Sequence, residues 1–211
     1  VVRDCLESAK PFFFEIIFVD TGSSDRTVEI AEEVGAKVYH FPWVDSFSLA
    51  RNESLKYATG NWIFWMDCDD TLPFESGEAL LQCALNAPPN VTAFVVPVQF
   101  VEEGVGQGTS VDHVKLIRRS PNLAFEGRIH EQILPSIRVA GGEIGRSSAY
   151  VLHSGYDSSP EGQAKKRERD IKLLHLDIAE RPDHPFVLFN LGMTYHYMGE
   201  HPKIGRASCR E

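Results

Sequence analysis

The 211-residue sequence lacks a basic stripe, a long apolar run and paired cysteines, and each absence removes a class of protein. A formal charge of −9 with no positive stripe argues against broad nucleic-acid binding. The densest positive cluster, Lys165, Lys166, Arg167 and Arg169, is interleaved with acids and reads as the solvated face of a helix. No apolar stretch approaches the ~20 residues needed to span a bilayer. Glu15 interrupts the longest candidate, Phe12 to Val19. No signal peptide is legible. Cys5, Cys68, Cys83 and Cys209 show no C-x-x-C spacing and no framework pattern, which favours reduced thiols in a cytoplasmic protein. There is also no initiator methionine. The opening "VVRDCLESAK" reads as the later part of an amphipathic helix with no strand before it, so an N-terminal truncation is expected. At the other end "IGRASCRE", residues 204–211, breaks a helical pattern without a cap. It reads as the in-frame translation of a sequencing adapter and is left out of the fold reading.

What is present is ordinary globular composition: 43% hydrophobic and 24% charged residues, enough for one sizeable core and a small appendage. "EIIFVD" ending at Asp20 is a short β-branched and aromatic run, followed by the turn "TGSSD" and by "RTVEIAEEVG" with Val28, Ala31 and Val34 at helical spacing. Ser24 or Asp25 suits the N-cap and Gly35 the stop. "AKVYHF" predicts a second strand, "SFSLARNESLKYATG" a helix closed by Gly60, and "NWIFWMD" a third strand. Such alternation predicts a parallel, doubly wound α/β sheet, with ligands at the carboxyl ends of its strands. Beyond Pro73, "SGEALLQCALN" reads as a helix, and "TAFVVPVQFVE" and "HVKLIRRS" as antiparallel additions that make the sheet mixed. Between them "GVGQGTS" reads as a hairpin tip; it does not stand between strand and helix as a phosphate loop must. From Pro160 the chain is helical, and Asn190, Leu191, Gly192, Tyr195 and Gly199 have the texture of the first helix of a tetratricopeptide repeat. About one repeat is too little to stack alone.

The chemistry concentrates in "WMDCDD", where an apolar strand ends in Asp67, Asp69 and Asp70. Carboxylates at i and i+2 beyond a buried strand can converge on one hard divalent cation such as Mg²⁺ or Mn²⁺. A lone Asp-x-Asp is weak evidence, since most acidic turns are solvated loops. A second acidic strand end at Asp20 strengthens it.

"EIIFVDTGSSDRT", "FSLARNESLKYATGNWIFWMDCDD" and "FEGRIHEQI" together resemble the successive motifs of family 2 glycosyltransferases of the GT-A fold, in the subgroup with C-terminal tetratricopeptide repeats. The resemblance spans residues 3 to 157, with the repeat texture adding Pro185 to Lys203. It implies a GT-A-type domain over residues 1–157 without its first strand and a helical repeat start over 158–203, ahead of the adapter-like tail over 204–211. It also implies an inverting, metal-dependent enzyme that moves a sugar from a nucleotide donor, UDP-linked, to an acceptor of protein, peptide, lipid or glycan type. By the same resemblance Asp20 accepts a hydrogen bond from the base, although Thr21 stands where the family often has a second acid. Arg51 lies near the diphosphate, or alternatively forms a helix-face ion pair. Asp67 serves ribose and metal, and Asp69 is the direct metal ligand. Cys68 is expected to point into the core and Asp70 to cap the following turn.

For the base, "GRIHEQI" offers Glu131 first and His130 second, on a strand where adjacent residues face opposite ways; the alternative is a structural role for both. His153 in "VLHSGY" either completes the metal site or hydrogen-bonds backbone as a strand-end histidine. Trp62 and Trp65 read as core, while Trp43 is the better candidate for stacking on a ligand. Two competitors stand beside the enzyme reading. A nucleotidyltransferase would show an early Gly-rich, basic loop, which is not visible. A non-catalytic scaffold would present the repeat to a protein partner or to a second copy, and intact Asp67 and Asp69 disfavour it.

Overall fold

The structure is a computed structural model that describes residues 1–100, 109–155 and 159–208, the side chains of 205–208 excepted. Most of the "GVGQGTS" stretch, together with Cys209 and Arg210, lies outside the described residues. Contacts divide the chain into two compact units. The first comprises Val1–Trp43, Ala50–Phe125 and Ile133–Tyr156; the second comprises Val44–Leu49, Glu126–Gln132 and Asp157–Glu211.

In chain order the elements are α1 (Val2–Ala9), β1 (Ile17–Asp20), α2 (Thr27–Val34), β2 (Lys37–His40), α3 (Phe47–Tyr57), β3 (Trp62–Phe64), β4 (Asp70–Thr71), α4 (Phe74–Asn86), β5 (Val91–Phe100), β6 (Ser110–Arg118), α5 (Leu134–Val139), β7 (Glu143–Arg146), β8 (Val151–His153), α6 (Pro160–Glu180), α7 (Pro185–Tyr197) and α8 (His201–Ser208). The strand-helix alternation at the start of the chain produces one parallel pair, β1 beside β2, with Asp20 opposite His40. The helix between them begins after Asp25, whose Oδ1 accepts the Thr27 N–H at 3.0 Å, and ends at Gly35.

The third strand corrects the expectation of a continuous parallel sheet. β3 pairs antiparallel with β6, in a six-stranded mixed sheet ordered β3-β6-β5-β8-β4, with β7 on the flank of β5. Alternation along the chain favours parallel neighbours, but partner choice is set by which long-range strand buries the shared face. β5 and β6 are the long central pair, antiparallel, and β5 also carries β8 in parallel. Pleating sends adjacent residues to opposite faces, and both faces are buried. Phe94, Val96 and Leu116 join Leu72, Leu80 and Val151 in one core, while Ala93 and Ile117 join Leu123, Phe125, Ile133 and Ile137 in another. Each large side chain buried this way contributes about 1.5–3 kcal/mol. A third cluster, Leu6, Phe18, Ala31 and Val34, holds α1 and α2 to the β1-β2 pair.

The second unit is helical. Leu173 and Leu174 of α6, Val187, Leu191 and Tyr195 of α7, and Ile129 form its core. Ser159 caps α6, its hydroxyl accepting the Gly162 N–H at 3.0 Å. Lys165, Lys166 and Arg169 are exposed on α6, as their interleaving with acids implies.

Candidate functional site

The carboxyl end of β3 runs into a tight turn that Asp70 closes. Its Oδ2 accepts the Asp67 N–H at 2.9 Å, and its own N–H donates to the Asp67 carbonyl at 3.0 Å. Asp70 therefore fastens the preceding turn rather than capping the following one, and it opens β4 opposite His153 on β8. Strand pairing delivers the histidine: His153 Nδ1 lies 3.0 Å from Asp70 Oδ1 and 3.5 Å from Asp69 Oδ1. Asp69, Asp70 and His153 each offer a ligand atom within 4.8 Å of the others, a donor set of two oxygens and one imidazole nitrogen suited to a divalent cation.

The segment after His153 cups Asp69. Ser154 donates both its N–H, at 3.0 Å, and its hydroxyl, at 3.1 Å, to the Asp69 carbonyl. At Gly155 a Cβ would stand 1.8 Å from Asp69 Oδ2, so only glycine permits this approach.

Asp67 stands beside this group rather than in it: its Oδ1 takes the Arg51 guanidinium at 2.9 Å. Arg51 comes from the middle of α3, and its guanidinium carbon lies 3.9 Å from the centre of the Trp65 ring. Lys115 Nζ lies 3.8 Å from the same ring and 2.8 Å from Asp70 Oδ2. Both members of that ion pair are fully enclosed, at 1% and 0% side-chain exposure. The indole is fixed by its N–H to the Val114 carbonyl at 2.7 Å.

These charges answer why three acids can cluster. Partial loss of water pushes the Asp67 carboxyl up, but Arg51 and Lys115 outweigh it and hold it at about 2. Burial likewise pushes Asp70 up, and the hydrogen bond with His153 and the charge of Lys115 bring it below the ordinary range. Asp69 differs: lost hydration raises its pKa, His153 only partly opposes this, and the Asp67 charge adds to the rise. Asp69 is thus the member with an unmet demand for positive charge. His153 is raised, chiefly through its hydrogen bond to Asp70.

At the other acidic strand end, Asp20 is buried and its oxygens accept the Ser23 N–H at 3.0 Å and the Gly22 N–H at 3.2 Å, while His40 Nδ1 of β2 lies 3.5 Å from Oδ2. Gly22 has φ of 118°, a conformation closed to most other residues.

"GRIHEQI" is not a strand. It is a tight loop of the second unit, closed by an isolated Glu126–Gln132 bridge. Arg128 fixes it, donating its N–H to Asp177 Oδ2 at 2.8 Å and its side chain to the Asp45 carbonyl at 2.9 Å and to Glu180. His130 is exposed with φ of 53°, so strand alternation does not govern which of His130 and Glu131 faces a ligand.

Cys68 is exposed rather than turned into the core, because the turn ends pleated alternation at Asp67. Trp62 and Trp65 pack in the cores as expected, and Trp43 is 38% exposed. Sequence reasoning missed Lys115, Ser154 and Gly155, and gave Trp65 no part in the site. One signal was available: Lys115 interrupts the apolar positions of an otherwise buried strand, "HVKLIRR".

The model of glycosyl transferase family 2 matches residues 1–150. The chain belongs to that family. A TPR repeat-containing protein of Synechococcus elongatus is 34% identical over 205 residues, covering 91% of this chain and 50% of the relative. The prophage-derived glycosyltransferase SunS of Bacillus subtilis is 28% identical, covering 93% of this chain and 46% of its own length. The chain therefore spans about half the length of these curated relatives. Among solved structures, glucosyl-3-phosphoglycerate synthase of Mycobacterium tuberculosis, in complex with Mn²⁺ and UDP-glucose, superposes with a TM-score of 0.56 at 16% identity, covering 83% of this chain and 72% of that one. At that identity the likeness establishes the mixed α/β fold of the family and nothing finer. Among the described residues no helix is long and apolar enough to cross a membrane.

Proposed function

We propose that this chain is the donor-binding and catalytic part of an inverting, metal-dependent glycosyltransferase that takes a sugar from a UDP-linked donor. One observation carries the reading: Asp69, Asp70 and His153 converge within 4.8 Å, beside Arg51 and Asp67, where the turn after β3 opens β4 opposite the carboxyl end of β8 in a family 2 domain. The donor set fits Mn²⁺ or Mg²⁺, with Asp69 and His153 as the direct ligands. A bound cation of this kind supplies positive charge against the departing diphosphate. Arg51, stiffened against Trp65, adds a second positive group on the same side, and Asp67 orients that guanidinium and serves the ribose. Asp20, enclosed at the end of β1, is assigned to the base of the nucleotide.

The acceptor proton is assigned to Glu131, with His130 second, on the resemblance of "GRIHEQI" to the family's base motif. The helices from residue 158 to 203 are proposed as the start of a TPR-like repeat, a reading supported by the name of the Synechococcus relative and by the successive helices α6 and α7 in the second unit. The acceptor class stays as broad as the sequence leaves it.

The test is release of UDP from UDP-sugars by the protein, with and without Mn²⁺, and the anomeric configuration of the product read by NMR. The reading predicts Mn²⁺-dependent release that falls at least 100-fold in Asp69→Ala, and an inverted product. Equal release by the variant, or a retained configuration, contradicts it.

A further inference from the structure

Lys115 is a fully enclosed cation one hydrogen bond away from a candidate cation site, and the catalytic reading gives it no role. Its ammonium is held from two sides: by Asp70 Oδ2 at 2.8 Å, and by the Trp65 ring at 3.8 Å, itself hydrogen-bonded to the Val114 carbonyl. Asp70 in turn faces His153 Nδ1 with Oδ1 and fastens the Asp67 N–H with Oδ2. One buried lysine therefore stands behind both the histidine and the turn that carries Asp69.

Removing water from a charged pair is costly, and a pair this enclosed adds little net stability over a well-packed apolar one. Its charge, however, acts on anything placed nearby, because interactions are poorly screened in the interior. We propose that Lys115 is a positioning residue that acts as a resident counter-charge: it keeps the acidic turn assembled and lowers the affinity of the Asp69–Asp70–His153 group for its cation. Such a device makes the cation exchangeable rather than structural. This inference rests on the metal reading of the site above.

A lysine with a merely structural role would, on removal, weaken cation binding or leave it alone. A counter-charge would, on removal, strengthen it. The experiment is Mn²⁺ binding by electron paramagnetic resonance, alongside Tm with and without Mn²⁺, on wild type, Lys115→Met and the double variant Asp70→Asn/Lys115→Met. The proposal predicts that Lys115→Met binds Mn²⁺ at least tenfold more tightly than wild type, has a lower Tm without metal, and gains more Tm from Mn²⁺ than wild type does. Were Lys115→Met unfolded without metal, Mn²⁺ should restore its fold. The double variant, having lost both charges, should regain most of the metal-free Tm and lose the extra gain from Mn²⁺. Equal or weaker Mn²⁺ binding by Lys115→Met, an unfolded variant that Mn²⁺ does not recover, or a double variant no better than the single one overturns the role of Lys115 while leaving the site intact. Absence of Mn²⁺ binding by wild type overturns the site and this inference together.

Discussion

Two aspartates of this domain mark strand boundaries, Asp20 closing β1 and Asp70 opening β4, and the two are held by different means. Asp20 is held mainly by the backbone of its own turn, from residues two and three positions on, with His40 of the paired strand 3.5 Å away. Asp70 is satisfied by Lys115, 45 residues away, and by His153, 83 residues away. Burial would raise both carboxyls. At Asp20 hydrogen bonds from Ser23 and Gly22 bring the pKa back down; at Asp70 the bond with His153 and the lysine charge do so. The first arrangement draws on one turn and one neighbouring strand. The second exists only when β3 has paired with β6 and β4 with β8, and it leaves the neighbouring Asp69 short of positive charge. A self-satisfied carboxylate suits the rim of a pocket, and an assembled, undersatisfied cluster suits a cation.

The comparison is broken most severely at Asp70. Asp70→Ala strands an enclosed lysine and should cost about 3–5 kcal/mol in urea unfolding. Asp20→Ala, losing two hydrogen bonds at the edge of a turn, should cost only about 1–2 kcal/mol. Equal costs would mean that the two ends are held alike. Next in size is Gly155→Ala, whose new methyl group collides with the Asp69 carboxylate. Fold, read by circular dichroism, should persist while Mn²⁺ affinity falls about 10- to 100-fold, the usual consequence of disturbing the groups that orient a ligand.

The smallest effect belongs to Glu15, whose partners stand 22 and 44 residues on. Glu15 accepts the Thr59 N–H and hydroxyl at 2.7 and 2.8 Å and pairs with Lys37 at 2.8 Å. Burial raises its carboxyl, but Lys37 and Thr59 prevail and bring it to about 2. Because its folded pKa lies below the unfolded value near 4.3, its contribution is fully present above that pH and is lost as pH falls toward about 2. Glu15→Gln should therefore cost about 1 kcal/mol at pH 6, and less and less as pH falls through about 2. A cost as large at pH 2 as at pH 6 would assign the effect to shape rather than charge.

Legibility in the sequence follows the same division. The β1-turn-α2 unit was readable because every determinant is local: β-branched residues, Gly22 in the turn, Asp25 before the helix and Gly35 after it. "WMDCDD" was readable as an acidic strand end for the same reason. The antiparallel partner of β3 was not readable, since strand pairing depends on β6, some fifty residues on. Nor was the placement of Lys115, which only that pairing carries beneath Asp70. Cys68 was misjudged because alternation was extended past the residue where the strand stops. "GRIHEQI" was misjudged because its apolar spacing looks like a strand, whereas Arg128 ties it to Asp177 and Glu180 in the helical unit. Local chemistry could name Asp69 and His153 one by one. Only the β4-β8 pairing brings them to 3.5 Å.

Calorimetric titration of the protein with UDP, with and without Mn²⁺, on wild type and Asp69→Ala, tests the central claim most directly. Wild type should bind UDP at least tenfold more tightly with Mn²⁺ than without it, and Asp69→Ala should bind with the same weak affinity in both conditions. Binding of equal strength in both proteins, indifferent to metal, would contradict the assignment of this acidic turn as a cation-assisted nucleotide site.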